Sequence, residues 1–302
     1  MKHTKVLVTG ATGFLGKNVC KKILENNTLD VCMTSLRGDK NQNVRALNVM
    51  DFAAVSKFVH EVNPDIVYHL GGLVDLTRDY TVAIQCIEAN LIGTANLLEA
   101  LKGHSVRQFI YTSTEEVYGK GKLPYKEDCV LYPPSPYAVS KLAGEYMCHV
   151  YAQMHEFSVV VFRIGTMYGP YQPNNRYIFQ VINKALNNEE IPLNSGLKKR
   201  DYVYVGDIVE ALLSALNKKL DNEFEIINLG GGINMTLIAL VEKIISACGS
   251  TSALRIGVIP DRISEADEWL LDNTKAKVLL GWNPKTDIQK GLHQTIDFYK
   301  SQ

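Results

Sequence analysis

Five short runs of this chain, KVLVTG, DVCMTS, DIVYHLGG, QFIYTS and SVVVFRI, are apolar almost throughout, and the stretches between them carry helical periodicity. A strand with one wet face alternates apolar and polar residues. A run that is apolar at every position is covered on both faces, as in a parallel sheet between two helical layers. The spacing predicts helices over 13–26, 53–62, 82–101 and 136–154. Strands that alternate with helices in this way wind a doubly wound α/β fold, whose ligands sit at the carboxyl ends of the strands.

The pattern changes after Gly169. GPYQPNNRY is loop-like, a helix is expected over 177–187, and IPLNSGLKKRDYVYVGDI leads to one more buried run, EIINLGGG. A helix over 237–247 and the tail LLGWNPKTDIQKGL follow. A length of 302 residues suits a large domain with a smaller companion. The expected division is a dinucleotide-binding domain at 1–168 plus about 201–232. A mixed α/β substrate-binding domain would take about 169–200 plus 233–302, interleaved with the first.

Thirty-two basic residues balance 32 acidic ones, so no net field draws the chain to nucleic acid or to an anionic membrane. Six scattered cysteines without a CxxC pair, and seven histidines without an HxxxH pair, give no reason to expect a metal site or a disulfide framework. No apolar run approaches a membrane span, and MKHTKVLVTG enters a strand without a signal peptide, so a cytoplasmic location is expected.

VLVTGATGFLGKNV places Gly10, Gly13 and Gly16 between the first strand and the first helix. Glycines there allow a tight turn and a close approach to pyrophosphate, which the N–H groups of the helix start then hold. The candidate cofactor loop is Gly10, Thr12, Gly13, Phe14, Leu15 and Gly16 in a Rossmann-type domain. About 20 residues on, NAD-binding chains usually carry an acidic residue for the ribose diol. Here VCMTSLRGDK offers Ser35 and Arg37, with Asp39 further along. A hydroxyl and a guanidinium suit a 2′-phosphate, so NADP(H) is favoured and NAD(H) remains open.

Two further stretches carry chemistry. In PPSPYAVSKLAGEY, Tyr137 and Lys141 stand four residues apart on one helix face, where an ammonium can assist a phenol in proton transfer. In TSTEEVYG, Glu115 and Glu116 follow Thr114 at a strand end. If the chain stays extended, Thr114 and Glu116 share a face and Glu115 points away, whereas Glu115 comes into reach if the strand breaks into a turn just after Thr114.

TGATGFLG, TSTEEVYG, YAVSK, RIGTMYGP, RDYVYVGDI and INLGGG occur in the order of the landmarks of the extended short-chain dehydrogenase/reductases that modify nucleotide sugars. The chain resembles that epimerase/dehydratase family over nearly its whole length. The resemblance implies a catalytic set of Thr114, Tyr137 and Lys141, with Tyr137 exchanging the proton of the sugar C4 hydroxyl. It implies that Arg200 and Arg262 face the nucleotide diphosphate. It also places Thr166 where the family commonly has Asn. A homodimer through the helices at 82–101 and 136–154 is implied too, with Leu91, Leu98, Met147 and Val150 as candidate contacts.

Three reactions share the scaffold. Reduction of a 4-keto sugar needs Tyr137 and a reduced cofactor, 4-epimerisation needs oxidation and return of hydride, and 4,6-dehydration needs an additional acid and base. Acidic residues after the catalytic threonine resemble the dehydratase pattern and make Glu115 and Glu116 candidate catalytic groups. The later segments look like those of 4-keto-deoxysugar reductases such as CDP-abequose synthase. The expectation is therefore an NADPH-dependent reductase of a nucleotide-linked 4-keto-6-deoxysugar. The alternatives are a 4,6-dehydratase or 4-epimerase holding NAD and, more remotely, a regulator without catalysis.

Overall fold

The computed structural model describes residues 3–75, 80–155, 157–216, 223–262 and 265–301. In chain order its first part runs β1 (Thr4–Thr9), α1 (Phe14–Ile23), β2 (Leu29–Ser35), β3 (Arg45–Ala46), α2 (Phe52–Val62), β4 (Ile66–His69), α3 (Tyr80–Cys86), α4 (Gly93–Leu101), β5 (Gln108–Thr114), α5 (Pro136–His155) and β6 (Ser158–Ile164). The rest supplies β7 (Thr166–Tyr168), α6 (Tyr177–Leu186), β8 (Ile191–Pro192), β9 (Lys199–Tyr204), α7 (Val205–Leu216) and β10 (Phe224–Leu229). β11 (Asn234–Thr236), α8 (Leu237–Cys248), β12 (Leu254–Arg255), α9 (Thr274–Leu280) and α10 (Ile288–Lys300) complete it.

The apolar runs form the expected parallel sheet, seven strands in the order β10-β6-β5-β4-β1-β2-β3. Successive residues of β1 explain why the run has no polar member. Val6 and Val8 pack with Val19, Ile208 and Leu212 on one side, while Leu7 packs with Val55, Leu97 and Leu101 on the other. Each such side chain contributes about 1.5–3 kcal/mol by leaving water. The strand order reverses at β1, which lies between β2 and β4, and in open α/β sheets ligands bind outside the carboxyl ends of the strands at such a reversal.

Two small sheets stand apart from the large one, β11-β9-β7 and β12-β8. Their core gathers Ile182, Leu193, Leu240, Ile244 and Leu292. Asp207 at the start of α7 joins distant landmarks, accepting hydrogen bonds from the backbone of Lys285 and Thr286 while its carbonyl receives the Trp282 indole N–H. Among the described residues no helix is long and apolar enough to cross a membrane, and no group of three or more histidine, cysteine, aspartate or glutamate residues is placed to hold a metal. All six cysteines are free.

Two local readings change. The helix expected over 82–101 is α3 and α4 joined by a π-helical segment, Ile87–Ile92, which carries the buried Asn90. TSTEEVYG does not stay extended. The strand ends at Thr114, and Glu115–Tyr118 form a 3₁₀ turn whose first residues are capped by the Thr114 hydroxyl, accepting from Glu116 N–H.

Candidate active site

The glycine loop meets the end of β4 at the strand-order reversal. Gly10 has φ +71, and a Cβ on it would stand 2.6 Å from the Gly71 nitrogen. A Cβ on Gly16 would stand 2.0 Å from the Gly10 carbonyl oxygen. Both positions are closed to any side chain, which leaves the backbone bare. Gly13 caps α1 without a side-chain hydrogen bond, so the first-turn N–H groups have no local acceptor from the cap. Thr12 and Phe14 are partly buried, whereas the Leu15 side chain belongs to the core and can offer a ligand only its N–H. These features fit a dinucleotide pyrophosphate. At the end of β2, the Ser35 hydroxyl accepts from Gly38 N–H and Arg37 is exposed. Asp39 is taken up in its own turn, accepting from Asn41 and Gln42.

Tyr137 and Lys141 lie on the buried face of α5. Lys141 Nζ sits 4.1 Å from the centroid of the Tyr111 ring, and a Cβ on Gly72 would come within 3.9 Å of it. Burial lowers the Lys141 ammonium to about 8. Tyr137 is pushed up by burial and then by the Glu116 carboxylate, while a hydrogen bond from Thr114 and the charge of Arg176 act in the opposite direction. The strongest cationic influence on the phenol therefore comes from Arg176, a residue not singled out from the sequence. Arg176 precedes α6 and donates to the Val74 carbonyl at 3.1 Å.

The turn after Thr114 separates the two glutamates. Glu115 is buried, its Oε1 accepts from Thr166 at 2.7 Å, and its Oε2 has no hydrogen-bond partner. Burial, followed by the nearby Asp201, raises it to about 8, so it stays a neutral acid at physiological pH. Glu116 accepts from the Ser135 hydroxyl at 2.8 Å and bears electrostatically on Tyr137. Thr114, Glu115, Glu116, Tyr137 and Thr166 are thus brought together, with Glu115 included because the strand breaks.

Several buried groups that hold this constellation were not read from the sequence. The Asn90 amide bonds Leu73 through both its N–H and its carbonyl, and also donates to Ser140, tying the β4 loop to α5. A π-helical segment often marks such a functional position. Beneath Thr114, Arg163 pairs with Glu145 at 2.7 Å, and Glu145 also accepts from Ser113. His69 bridges Thr9 and Thr94 at 2.7 and 3.1 Å, and burial followed by the Lys141 charge depresses it to about 3. A neutral imidazole there braces the glycine loop.

Arg200, expected from the sequence to face the diphosphate, is largely buried and donates to the carbonyls of Lys199 and Ala266. It forms an ion pair with Glu265, and Arg262 reaches the same carboxylate from a more exposed position. Lys199 pairs elsewhere, with Glu268 at 2.9 Å.

The family model described as the NAD dependent epimerase/dehydratase family matches residues 6–230. The chain is 28% identical to the uncharacterized UDP-glucose epimerase YtcB of Bacillus subtilis, covering 98% of each chain. It is 29% identical to the dTDP-D-glucose 4,6-dehydratase of Mus musculus, covering 98% of this chain and 88% of that protein. Among solved structures, UDP-glucuronic acid 4-epimerase from Bacillus cereus, in complex with UDP-glucuronic acid and NAD, superposes with a TM-score of 0.90 at 27% identity over 99% of both chains.

Proposed function

This chain belongs to the NAD dependent epimerase/dehydratase family, and from that premise we propose that it is a nucleotide-sugar 4,6-dehydratase. The observation that carries the reading is the division of labour in one turn. Glu115 is a buried acid raised to about 8, and Glu116, which accepts from the Ser135 hydroxyl, stands beside Tyr137. A buried acid that holds its proton, next to a second carboxyl group facing the tyrosine, supplies the additional acid and base that dehydration needs.

The residues act on the sugar as follows. Tyr137 takes the proton of the C4 hydroxyl while Thr114 steadies that oxygen. Glu116 removes the proton from C5, Glu115 gives its proton to the C6 hydroxyl, which leaves as water, and Glu116 returns a proton to C5 when hydride comes back to C6. NAD, held by the glycine loop and by Lys141, supplies the acceptor of the C4 hydride and its return to C6. Arg200, Arg262 and Thr166 face the rest of the nucleotide sugar, held by the smaller unit at about 169–200 and 233–302.

A 4-epimerase is the second reading, favoured by the close superposition on the Bacillus cereus enzyme. A reductase would use Tyr137 and Lys141 and leave the Glu115 acid without a task, so it ranks behind both. A preference for NADP would rest on Arg37 and on the Ser35 hydroxyl, which accepts from Gly38 N–H and keeps its own proton to donate.

The test is product analysis with dTDP-glucose and UDP-glucose in deuterated buffer with NAD. Dehydration gives a 4-keto product that has lost one water and carries one deuterium at C5, and Glu116→Gln lowers its rate about 10²–10⁴-fold. A C4 epimer of unchanged mass, formed equally fast by Glu116→Gln, would establish the epimerase instead.

The enzyme is also proposed to pair with a second copy of itself. Leu98 is in the core and Met147 packs partly against it, so these two are poor contacts. The exposed apolar stripe is instead Ile84, Ile87 and Ile92 beside Val139, Tyr146, Val150 and Met154. A stripe of this extent on two adjacent helices suits a helical interface.

A further inference from the structure

Three cations converge on a single carboxylate. Arg200 Nη2 lies 2.8 Å from Glu265 Oε1, Arg262 Nη1 lies 3.5 Å from the same oxygen, and Lys198 Nζ lies 3.4 Å from Oε2. Burial by itself would raise the Glu265 carboxyl, but Arg200, with Arg262 and Lys198, outweighs it and holds the group below the usual carboxylate range. Glu265 is therefore a charge at the centre of the cluster.

The three contacts are unequal. Arg200 is 14% exposed, and its Nη1 also donates to the carbonyls of Lys199 and Ala266, which hold it in place. Arg262 is 50% exposed and holds Glu265 only at the outer limit of a hydrogen bond. Lys198 is equally loose, although it is 17% exposed and also donates to the Arg262 carbonyl. Three positive charges and one negative leave two positive charges, the complement of a diphosphate diester.

We propose that Glu265 is the internal counter-ion of the diphosphate site. It gathers the cations while no anion is bound, then yields Arg262 and Lys198 to the diphosphate and keeps Arg200. This rests on the nucleotide-sugar reading above. The carboxylate keeps like charges together that would otherwise repel, and it competes with the incoming anion for two of them. Glu265 is a positioning residue in this role and touches no reacting atom.

Calorimetric titration of dTDP and UDP into the NAD-saturated enzyme tests it. Glu265→Gln keeps an acceptor for Arg200 and removes the competing charge. The variant should bind the diphosphates about fivefold more tightly at low salt, with the gap closing near about 0.5 M salt. The affinity of thymidine should stay at its parental value. Arg262→Gln should weaken dTDP and leave thymidine unchanged, which tests the handover even if Glu265→Gln does not fold. Equal or weaker diphosphate binding by a folded Glu265→Gln, or unaltered dTDP binding by Arg262→Gln, overturns the counter-ion role alone. Failure of the parental enzyme to bind dTDP or UDP overturns the nucleotide-sugar reading and this inference with it.

Discussion

Glu115 illustrates what one turn of backbone does to a side chain. Two adjacent glutamates are legible as candidates, but alternation along a strand pairs Glu116 with Thr114 and admits Glu115 only if a turn follows Thr114. The structure breaks the strand at Thr114, and the signal for that break was present. A threonine followed by two acidic residues is the pattern of a cap and first turn, and Gly119 closes the turn at φ +63. Because the folded carboxyl titrates near 8 and an unfolded one near 4.3, the folded state holds the extra proton between those values. Its stabilising effect is complete below the lower value and is lost as pH rises through 8. Glu115→Gln, which can still accept from Thr166, should therefore melt higher than the parent at pH 8, being more stable there by on the order of 5 kcal/mol, and match it near pH 4. Thermal melts at the two pH values measure this; equal melting at both would mean that Glu115 is ionised in the fold. In the proposed chemistry the same proton is the one given to C6, so dehydration should decline above pH 8.

At the scale of elements, β1, the glycine loop and α1 form one device. The loop can be read directly because glycine is demanded by backbone contact, and its spacing survives in the sequence. Gly16→Ala places a methyl group into the Gly10 carbonyl. It should cost about 1–3 kcal/mol of stability by overpacking and raise the NAD Kd at least about tenfold, as read by melting and by NAD titration. Unchanged NAD affinity would mean that the cofactor does not use this loop. Asn90 was not legible. A buried asparagine in a helical pattern has no signature until the segment winds as a π-helix and sets its amide against Leu73 and Ser140. The Arg163–Glu145 pair was equally hidden, since its members lie on β6 and α5 and meet only when the helix docks.

Across the whole molecule, residues far apart in the chain meet: Arg176, at the start of α6, bears on Tyr137 of α5, and Glu265 gathers Arg200, Arg262 and Lys198. Pairing of two copies belongs to this scale. Static light scattering at micromolar concentration should give a mass near twice 33.7 kDa, and Val150→Glu with Met154→Glu should reduce it to one chain. A parental mass of one chain would remove the exposed stripe as an interface. The stripe could not be assigned from periodicity, because α4 and α5 are apolar on more than one side. Leu98 and Val150 look alike in sequence, and only docking against the sheet buries the first and exposes the second.

The sequence by itself determined the parallel sheet, the glycine loop and the Tyr137 and Lys141 pair. Each depends on local pattern: runs apolar on both faces, glycines where backbone meets backbone, and a four-residue helical spacing. The tertiary structure alone decided which glutamate is a buried acid, which cation bears on Tyr137 and which carboxylate gathers Arg200, Arg262 and Lys198. Those outcomes depend on desolvation and on charges far apart in the chain, Glu115 with Asp201, Tyr137 with Arg176, Arg200 with Glu265. Electrostatic environment is a property of distance in space, and the linear order of residues does not carry it.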